Sequence, residues 1–205
     1  MYIPKQFKNE KQDEIIEFIR HNSFGVLFSQ DGDHPTATHL PFIVKEAEES
    51  ITLVTHMAKA NPQWKTLEGK TALAVFTGPH AYISASWYEE PGTVSTWNYV
   101  SAHAHGQVEV LTDSQSLKDI LKNATDFYEG EFAAPWKIEE HEETVDSMLN
   151  GIVGIRLTVD KLEGKWKLNQ HHSKERKEKV IARLKKQNAY DSQEIAQLMQ
   201  NQLEK

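Results

Sequence analysis

No cysteine occurs among the 205 residues, which excludes disulfides, thiolate nucleophiles and cysteine metal ligands. Any metal site would be left to histidine and carboxylate. Long apolar runs are missing as well. Stretches such as Gly25–Phe28 and Ala72–Phe76 are far too short to cross a bilayer. The opening residues, Met1-Tyr2-Ile3-Pro4-Lys5-Gln6-Phe7, lack the apolar core of a signal peptide, and the cytosol is the expected compartment. No Gly-x-Gly-x-x-Gly follows a strand and no P-loop occurs, which removes the common nucleotide-binding folds. No Gly-x-Ser-x-Gly elbow and no His-Glu-x-x-His are present, so a serine hydrolase and a zincin-type protease are also poor readings.

The composition that remains is globular. Hydrophobic residues make up 39% and aromatic residues 9%, enough to build a core and too much for a disordered chain. Net charge is −7, which argues against a protein that grips nucleic acid backbone. The charge is uneven. Ten Lys/Arg stand against three Glu from Lys161 to Lys186, and five acids without a base lie between Glu139 and Asp146. These segments read as two solvated helix faces of opposite sign, with a basic stripe as the alternative.

Patterning predicts a mainly β chain with helices, an α+β class. Asn9 can cap a helix to about Arg20. Strands are expected at Phe24–Ser29, Thr36–Val44, Ile51–His56, Thr71–Thr77 with an extension at Ala81–Ser84, Thr93–Leu111 and Gly151–Leu162. Gly78-Pro79 is read as a break and Glu163-Gly164 as a turn. Pro62 opens a short helix carrying Trp64 and Leu67. Thr112 or Asp113 caps a longer one, and others follow near Glu142–Leu149, from Ser173 to Lys186, and from Ser192. Strands in series with few helices between them suggest a six-stranded antiparallel barrel with peripheral helices and a C-terminal helical segment. The last two helices are joined by Gln187–Asp191, without glycine, and the second lacks basic groups. A helix-turn-helix is therefore not indicated.

Four segments mix aromatic, hydroxyl, amide and imidazole groups at strand ends: Ala37–Phe42, Thr55–Trp64, Gly78–Tyr88 and Ser95–Gly106. A flat heteroaromatic ligand with a phosphate tail needs such groups. The ring takes apolar walls with polar groups at its rim, and the phosphate takes a cation, hydroxyls and backbone N–H groups. Lys59 and Asn61, at the start of the Pro62 helix, suit a phosphate. The bland alternative is that all four are ordinary strand ends. His103 and His105, two apart on a strand, share a face. With no complete ligand set, they read as hydrogen-bonded imidazoles and no metal is expected.

In combination these segments resemble the FMN-binding split-barrel proteins of the PaiB type. The residues that carry the resemblance are Thr38-His39-Leu40-Pro41-Phe42, His56-x-Ala58-x-x-Asn61-Pro62-Gln63-Trp64, Gly78-Pro79-His80-x-Tyr82-Ile83-Ser84-x-Ser86-Trp87-Tyr88, and Thr96-Trp97-Asn98-Tyr99 with His103-Ala104-His105-Gly106. The family is similar to the pyridoxamine-phosphate-oxidase-like split barrels. The resemblance implies an FMN-binding split-barrel domain over 1–172, a helical appendage over 173–205, and a homodimer with FMN at its interface. Thr38 and His39 would line the isoalloxazine. His56, Ala58, Lys59 and Asn61, chiefly Lys59, would hold the phosphate. Trp97, Asn98 and Tyr99 would close the pocket, and Lys167 and Gln170 match a C-terminal motif. The chain departs from the pattern at Ala85 and Ser95, where proline is usual. It departs again at Gln170-His171-His172, where Gln-Asn-Arg is usual, and at Lys59, where arginine is common. By resemblance the role is negative transcriptional control of sporulation and degradative-enzyme synthesis. The alternative is an FMN-dependent oxidoreductase, and a third reading is haem binding on the same barrel.

Overall fold

The computed structural model describes residues 1–47 and 50–204. Eight strands and five α-helices follow one another, with short 3-10 turns between them. Helix α1 (Gln12–His21) starts where Asn9 Oδ1 accepts the Lys11 N–H at 3.0 Å, and it buries Ile15, Ile16 and Ile19. That stripe repeats at helical spacing, which is what makes the segment a helix instead of a strand.

The sheet is antiparallel where its register is defined, and its order is β3-β2-β6-β7-β8-β5-β4, with β1 (Lys8–Asn9) paired to β8. Strands β2 (Phe24–Asp31) and β3 (His34–Pro41) form a hairpin around Gly32 and Asp33. Gly32 sits at φ 57°, a conformation that costs glycine nothing at the first centre of a tight turn. Strands β4 (Ile43–Ala47) and β5 (Ser50–Ala58) form a second hairpin.

The expectation of a six-stranded barrel needs correction. The segment predicted as one strand from Thr36 to Val44 divides in two at Phe42, whose N–H leaves the ladder for the Ser23 carbonyl at 2.8 Å. Strand β1 adds the other extra member. Among the described residues the sheet path ends at β3 and β4, which do not pair with each other, so the sheet is open.

Two expected breaks are absent. Strand β6 (Thr71–Ile83) runs straight through Gly78-Pro79. β2 pairs with it only over Leu73–Val75, so Pro79, which has no N–H to donate, lies beyond that ladder. Strand β8 (Ile152–Lys167) runs through Glu163-Gly164. Gly164 is required by close approach: a Cβ there would lie 2.6 Å from Trp166 and 2.7 Å from Ile15.

Two of the remaining helices start at their predicted caps. Asp113 accepts the Ser116 N–H at the start of α2 (Ser114–Glu129). A short α3 follows at Glu142–Met148, and Ser173 caps α4 (Lys174–Leu184) by accepting the Arg176 N–H. Helix α5 spans Ser192–Leu203. Among the described residues no helix is long and apolar enough to cross a membrane.

The chain divides into two compact units. The first comprises Met1–Ile15, Thr77–Ala102 and Glu163–Lys205. Its buried side chains include Phe7, Ile83, Tyr88, Leu168, Val180, Leu184, Ile195 and Met199. The second comprises Ile16–Phe76 and His103–Leu162, with Leu27, Phe42, Leu53, Phe76, Ile155 and Leu157 in its core. Phe42 meets Phe76 edge to face at 5.4 Å, and Gly154 lets α2 approach β8 so closely that a Cβ would sit 2.5 Å from Ile120.

Candidate functional site

In the second unit the site begins at the end of β5. Asn61 closes a 3-10 turn (Pro62–Thr66), and its Oδ1 accepts the Gln63 N–H at 3.0 Å. Pro62 suits this first helical position because it has no N–H to leave unpaired. Gln63 then turns inward and is 3% exposed. Its Nε2 donates to the Leu27 carbonyl at 3.1 Å and to Ser29 Oγ at 2.9 Å, while its Oε1 accepts from the Thr38 hydroxyl. Asn61 Nδ2 donates to the same Thr38 oxygen at 2.9 Å. Every polar atom of the Gln63 amide is therefore used, as a buried amide requires. The Lys59 N–H is held by the Gly151 carbonyl at 2.8 Å, and its carbonyl accepts the Trp64 indole N–H at 3.0 Å. The Lys59 side chain is exposed, and no ion pair engages it among the described residues.

Strand alternation separates residues that are neighbours in sequence. Thr38 lies opposite Leu27 and faces Gln63, whereas His39 lies opposite Val26 and stacks on exposed Phe24 at 6.1 Å. His56 and Ala58 share the outer face of β5, opposite Gly154 and Ile152. His56 is half-buried, and that burial pushes its imidazole below the usual histidine range.

The first unit holds the other set. Trp97 and Tyr99 lie on one face of β7 (Thr96–Leu111), and Asn98 is buried on the other. The Asn98 amide donates to Met199 Sδ at 3.4 Å, and its Oδ1 has no partner among the described residues. Lys167 Nζ donates to the Trp97 carbonyl at 2.6 Å and to the Thr96 hydroxyl. Burial, and then the charge of Lys165, hold the Lys167 ammonium below its ordinary range. Lys165 Nζ lies 5.1 Å from the centre of the Tyr99 ring. Gln170 folds back on its own turn, accepting the Leu168 N–H at 2.8 Å. The exposed Trp97 ring packs edge to face against Tyr82 at 5.6 Å and Tyr190 at 5.0 Å. His80 sits beside them with Nδ1 3.0 Å from the Asp191 carboxylate.

The family described as "Putative FMN-binding domain" matches residues 1–161. The chain belongs to this FMN-binding family. FMN is the cofactor that membership carries. The chain is also 34% identical, over its full length and 99% of the relative, to protease synthase and sporulation protein PAI 2 of Bacillus subtilis. The PaiB-type resemblance is thereby borne out. A second relative, an uncharacterized protein of Emericella nidulans, is 29% identical, with 84% of this chain and 86% of that one covered. Among solved structures, a conserved hypothetical protein of Mycobacterium tuberculosis aligns with a TM-score of 0.59 at 16% identity, covering 83% of this chain and 92% of that one. An FAD and heme binding protein of Mycobacterium smegmatis aligns at 0.55 and 17% identity, covering 78% and 73%. These two likenesses show a shared fold.

The residues present fit the family's cofactor. Lys59 offers an uncompensated cation next to a capped turn, which suits a phosphate. Thr38 is half-buried with one oxygen lone pair uncommitted, which suits the polar rim of a ring. Of the predicted residues, Thr38 and Asn61 are directly bonded, and Lys59 lies in the same segment. Trp97 and Lys167 are likewise joined. His39 faces away from Thr38, and Asn98 faces away from Trp97 and Tyr99. Two groups were not foreseen. Gln63 was legible only as a motif letter, because its partners Leu27, Ser29 and Thr38 are remote in sequence. Asp191 lies 111 positions from His80, and nothing local links them.

Proposed function

We propose that the chain is an FMN-holding regulatory protein of the cytosol that exerts negative transcriptional control through its flavin state. The observation that carries the reading is the bonded set Thr38–Asn61–Gln63 beside the unpaired Lys59. Lys59 and the Asn61 turn hold the phosphate, with His56 and Ala58 forming the adjoining wall. Thr38 meets the ring edge. His39 and Asn98 act at one remove, His39 by stacking on Phe24 and Asn98 by tying β7 to α5. In a homodimer the partner subunit supplies the closing wall, built from the residue types found at Trp97, Tyr99, Lys167 and Gln170. Bound FMN supplies one- and two-electron redox chemistry. The link to sporulation and degradative-enzyme synthesis is supported by the name of the Bacillus subtilis relative.

The test is a titration of FMN, read by quenching of its fluorescence, on protein whose mass is measured by light scattering in the same sample. The expected result is about one FMN per chain and a dimer mass. Lys59→Ala should weaken FMN about tenfold while leaving riboflavin nearly unchanged, since a charge-assisted bond contributes roughly 1.5 kcal/mol. No quenching at FMN concentrations on the order of tens of micromolar would remove the reading.

A flavin-dependent oxidoreductase is the second reading, and one observation favours it. Asp191 holds Nδ1 of His80, which leaves Nε2 free to move a proton beside the Trp97 rings. Steady-state NAD(P)H turnover that falls with His80→Gln would select it over the regulatory role.

A further inference from the structure

The hydrogen-bond polarity of Thr38 is determined from a backbone carbonyl two hydrogen bonds away. The Leu27 carbonyl can only accept, so the Gln63 atom 3.1 Å from it must be the NH2 group. Its other amide atom is then the oxygen, and the Thr38 hydroxyl must spend its proton on it. On the other side, the Gln63 backbone N–H can only donate, so the Asn61 atom at 3.0 Å from it is the oxygen. The Asn61 NH2 therefore donates to Thr38 Oγ1 at 2.9 Å. Thr38 has given its one proton and filled one lone pair, and a single lone pair remains. Gln63 is 3% exposed and cannot turn over without leaving its NH2 group or the Leu27 carbonyl unpaired in the core.

We infer that Thr38, whose one proton is held by Gln63, is a specificity-determining acceptor-only group, so that it can bond only to an N–H on the flavin ring. This rests on the reading that FMN binds with its ring at Thr38. A threonine in open solvent would serve donor and acceptor atoms alike. This one rejects ring atoms that only accept. Two ring groups satisfy it: the imide N3–H, present in both oxidised and reduced FMN, and N5–H, present only when the ring is reduced.

The experiment compares wild type, Thr38→Ser, Thr38→Val and Thr38→Ala for two quantities. One is the affinity for oxidised FMN and for N3-methyl-FMN, and the other is the midpoint potential of bound FMN. Thr38→Ser keeps the hydroxyl and should behave as wild type in both. If N3–H is the partner, Thr38→Val weakens oxidised FMN about threefold to tenfold, the range of one hydrogen bond, and no longer discriminates against N3-methyl-FMN. If N5–H is the partner, Thr38→Val leaves oxidised FMN unweakened and lowers the midpoint potential, by about 30 mV for a tenfold loss in a two-electron couple, but does not lower that of bound 5-deaza-FMN, whose reduced ring has no N5–H. Either pattern supports the inference. Thr38→Ala, which adds no branched methyl, replaces Thr38→Val if the latter does not fold. A rise in potential in a variant that still discriminates against N3-methyl-FMN would mean that the oxidised ring had lost a donor, and would overturn it. Unchanged affinity and potential, or a failure of Thr38→Ser to rescue, would overturn it as well. Absence of FMN binding by wild type would remove the underlying reading and this inference together, a result distinct from wild-type binding that is blind to Thr38.

Discussion

Burial is the chief cause that holds the imidazoles of His56 in one unit, and of His171 and His172 in the other, below their ordinary range. Each therefore binds fewer protons when folded than when unfolded, where histidine titrates near about 6.5. The sign follows from linkage. Their contribution to stability is present above about pH 6.5 and is lost as pH falls through that value toward the folded values. Glu90 and Glu139 are held low by hydrogen bonds from Arg176 and Lys122 and act in the separate, more acidic carboxylate range. The denaturant midpoint should thus decline between pH 7 and pH 5, above the range in which Glu90 and Glu139 are protonated. His56→Gln should flatten that decline, because His56 is the most enclosed of the three. A midpoint that holds constant over this interval would contradict the assignment. The same scale explains what could be read without a structure. Lys59 and Asn61 were legible because a cation and a capping amide before proline carry their chemistry locally. The direction of each side chain was not, since His39 and Asn98 differ from their neighbours only by the strand's period of two.

Among the elements, strands were recognised by their apolar alternation and helices by their caps, and both succeeded where the signal was local. Asp113 and Ser173 cap α2 and α4 as their residue types predict. Punctuation by glycine and proline misled where tertiary contact decided the matter. Gly78-Pro79 lies inside β6, and Gly164 lies inside β8 because Ile15 and Trp166 leave no room for a side chain. Glycine thus marks a close approach in these strands as often as a turn. Gly106 on β7 makes the point measurable. A Cβ there would lie 2.0 Å from the Thr158 carbonyl oxygen of β8, and backbone cannot swing away as a side chain can. Gly106→Ala should cost about 3 kcal/mol, the upper part of the range for overpacking. Gly151 has nothing within 4 Å of a built Cβ and no positive φ. Gly151→Ala should leave the unfolding midpoint unchanged or slightly raised, since alanine restricts the unfolded chain. Equal effects from the two substitutions would show that strand β7 is not held against β8 as closely as this.

At the scale of the whole chain, charge decides what the molecule can grip. The basic residues gathered between Lys161 and Lys186 are the natural place to look for a nucleic acid contact. Helix α4 spends much of that charge within its own unit. Arg176 pairs with Glu90, Arg183 lies 3.2 Å from Glu89, and Lys179 lies 3.7 Å from Glu89 and 3.6 Å from Glu175. Lys174 faces Glu178 at 3.9 Å. The Arg176–Glu90 pair is half-buried, while the others lie toward the surface, where such pairs add little stability. Together they leave few cations free to displace counterions from phosphate, in a chain whose net charge is −7. Direct reading of DNA by this helix is therefore disfavoured, and control through a ligand or a protein partner fits better. A gel-shift series at rising salt tests this, using wild type and a variant with Lys174, Arg176, Lys177 and Lys179 changed to Gln. Both should bind DNA weakly, with little sequence preference and a steep loss as salt rises, because phosphate contacts carry position but little sequence information. Nanomolar, sequence-specific binding by wild type that survives about 150 mM salt would overturn this, and its loss in the variant would place the contact on α4.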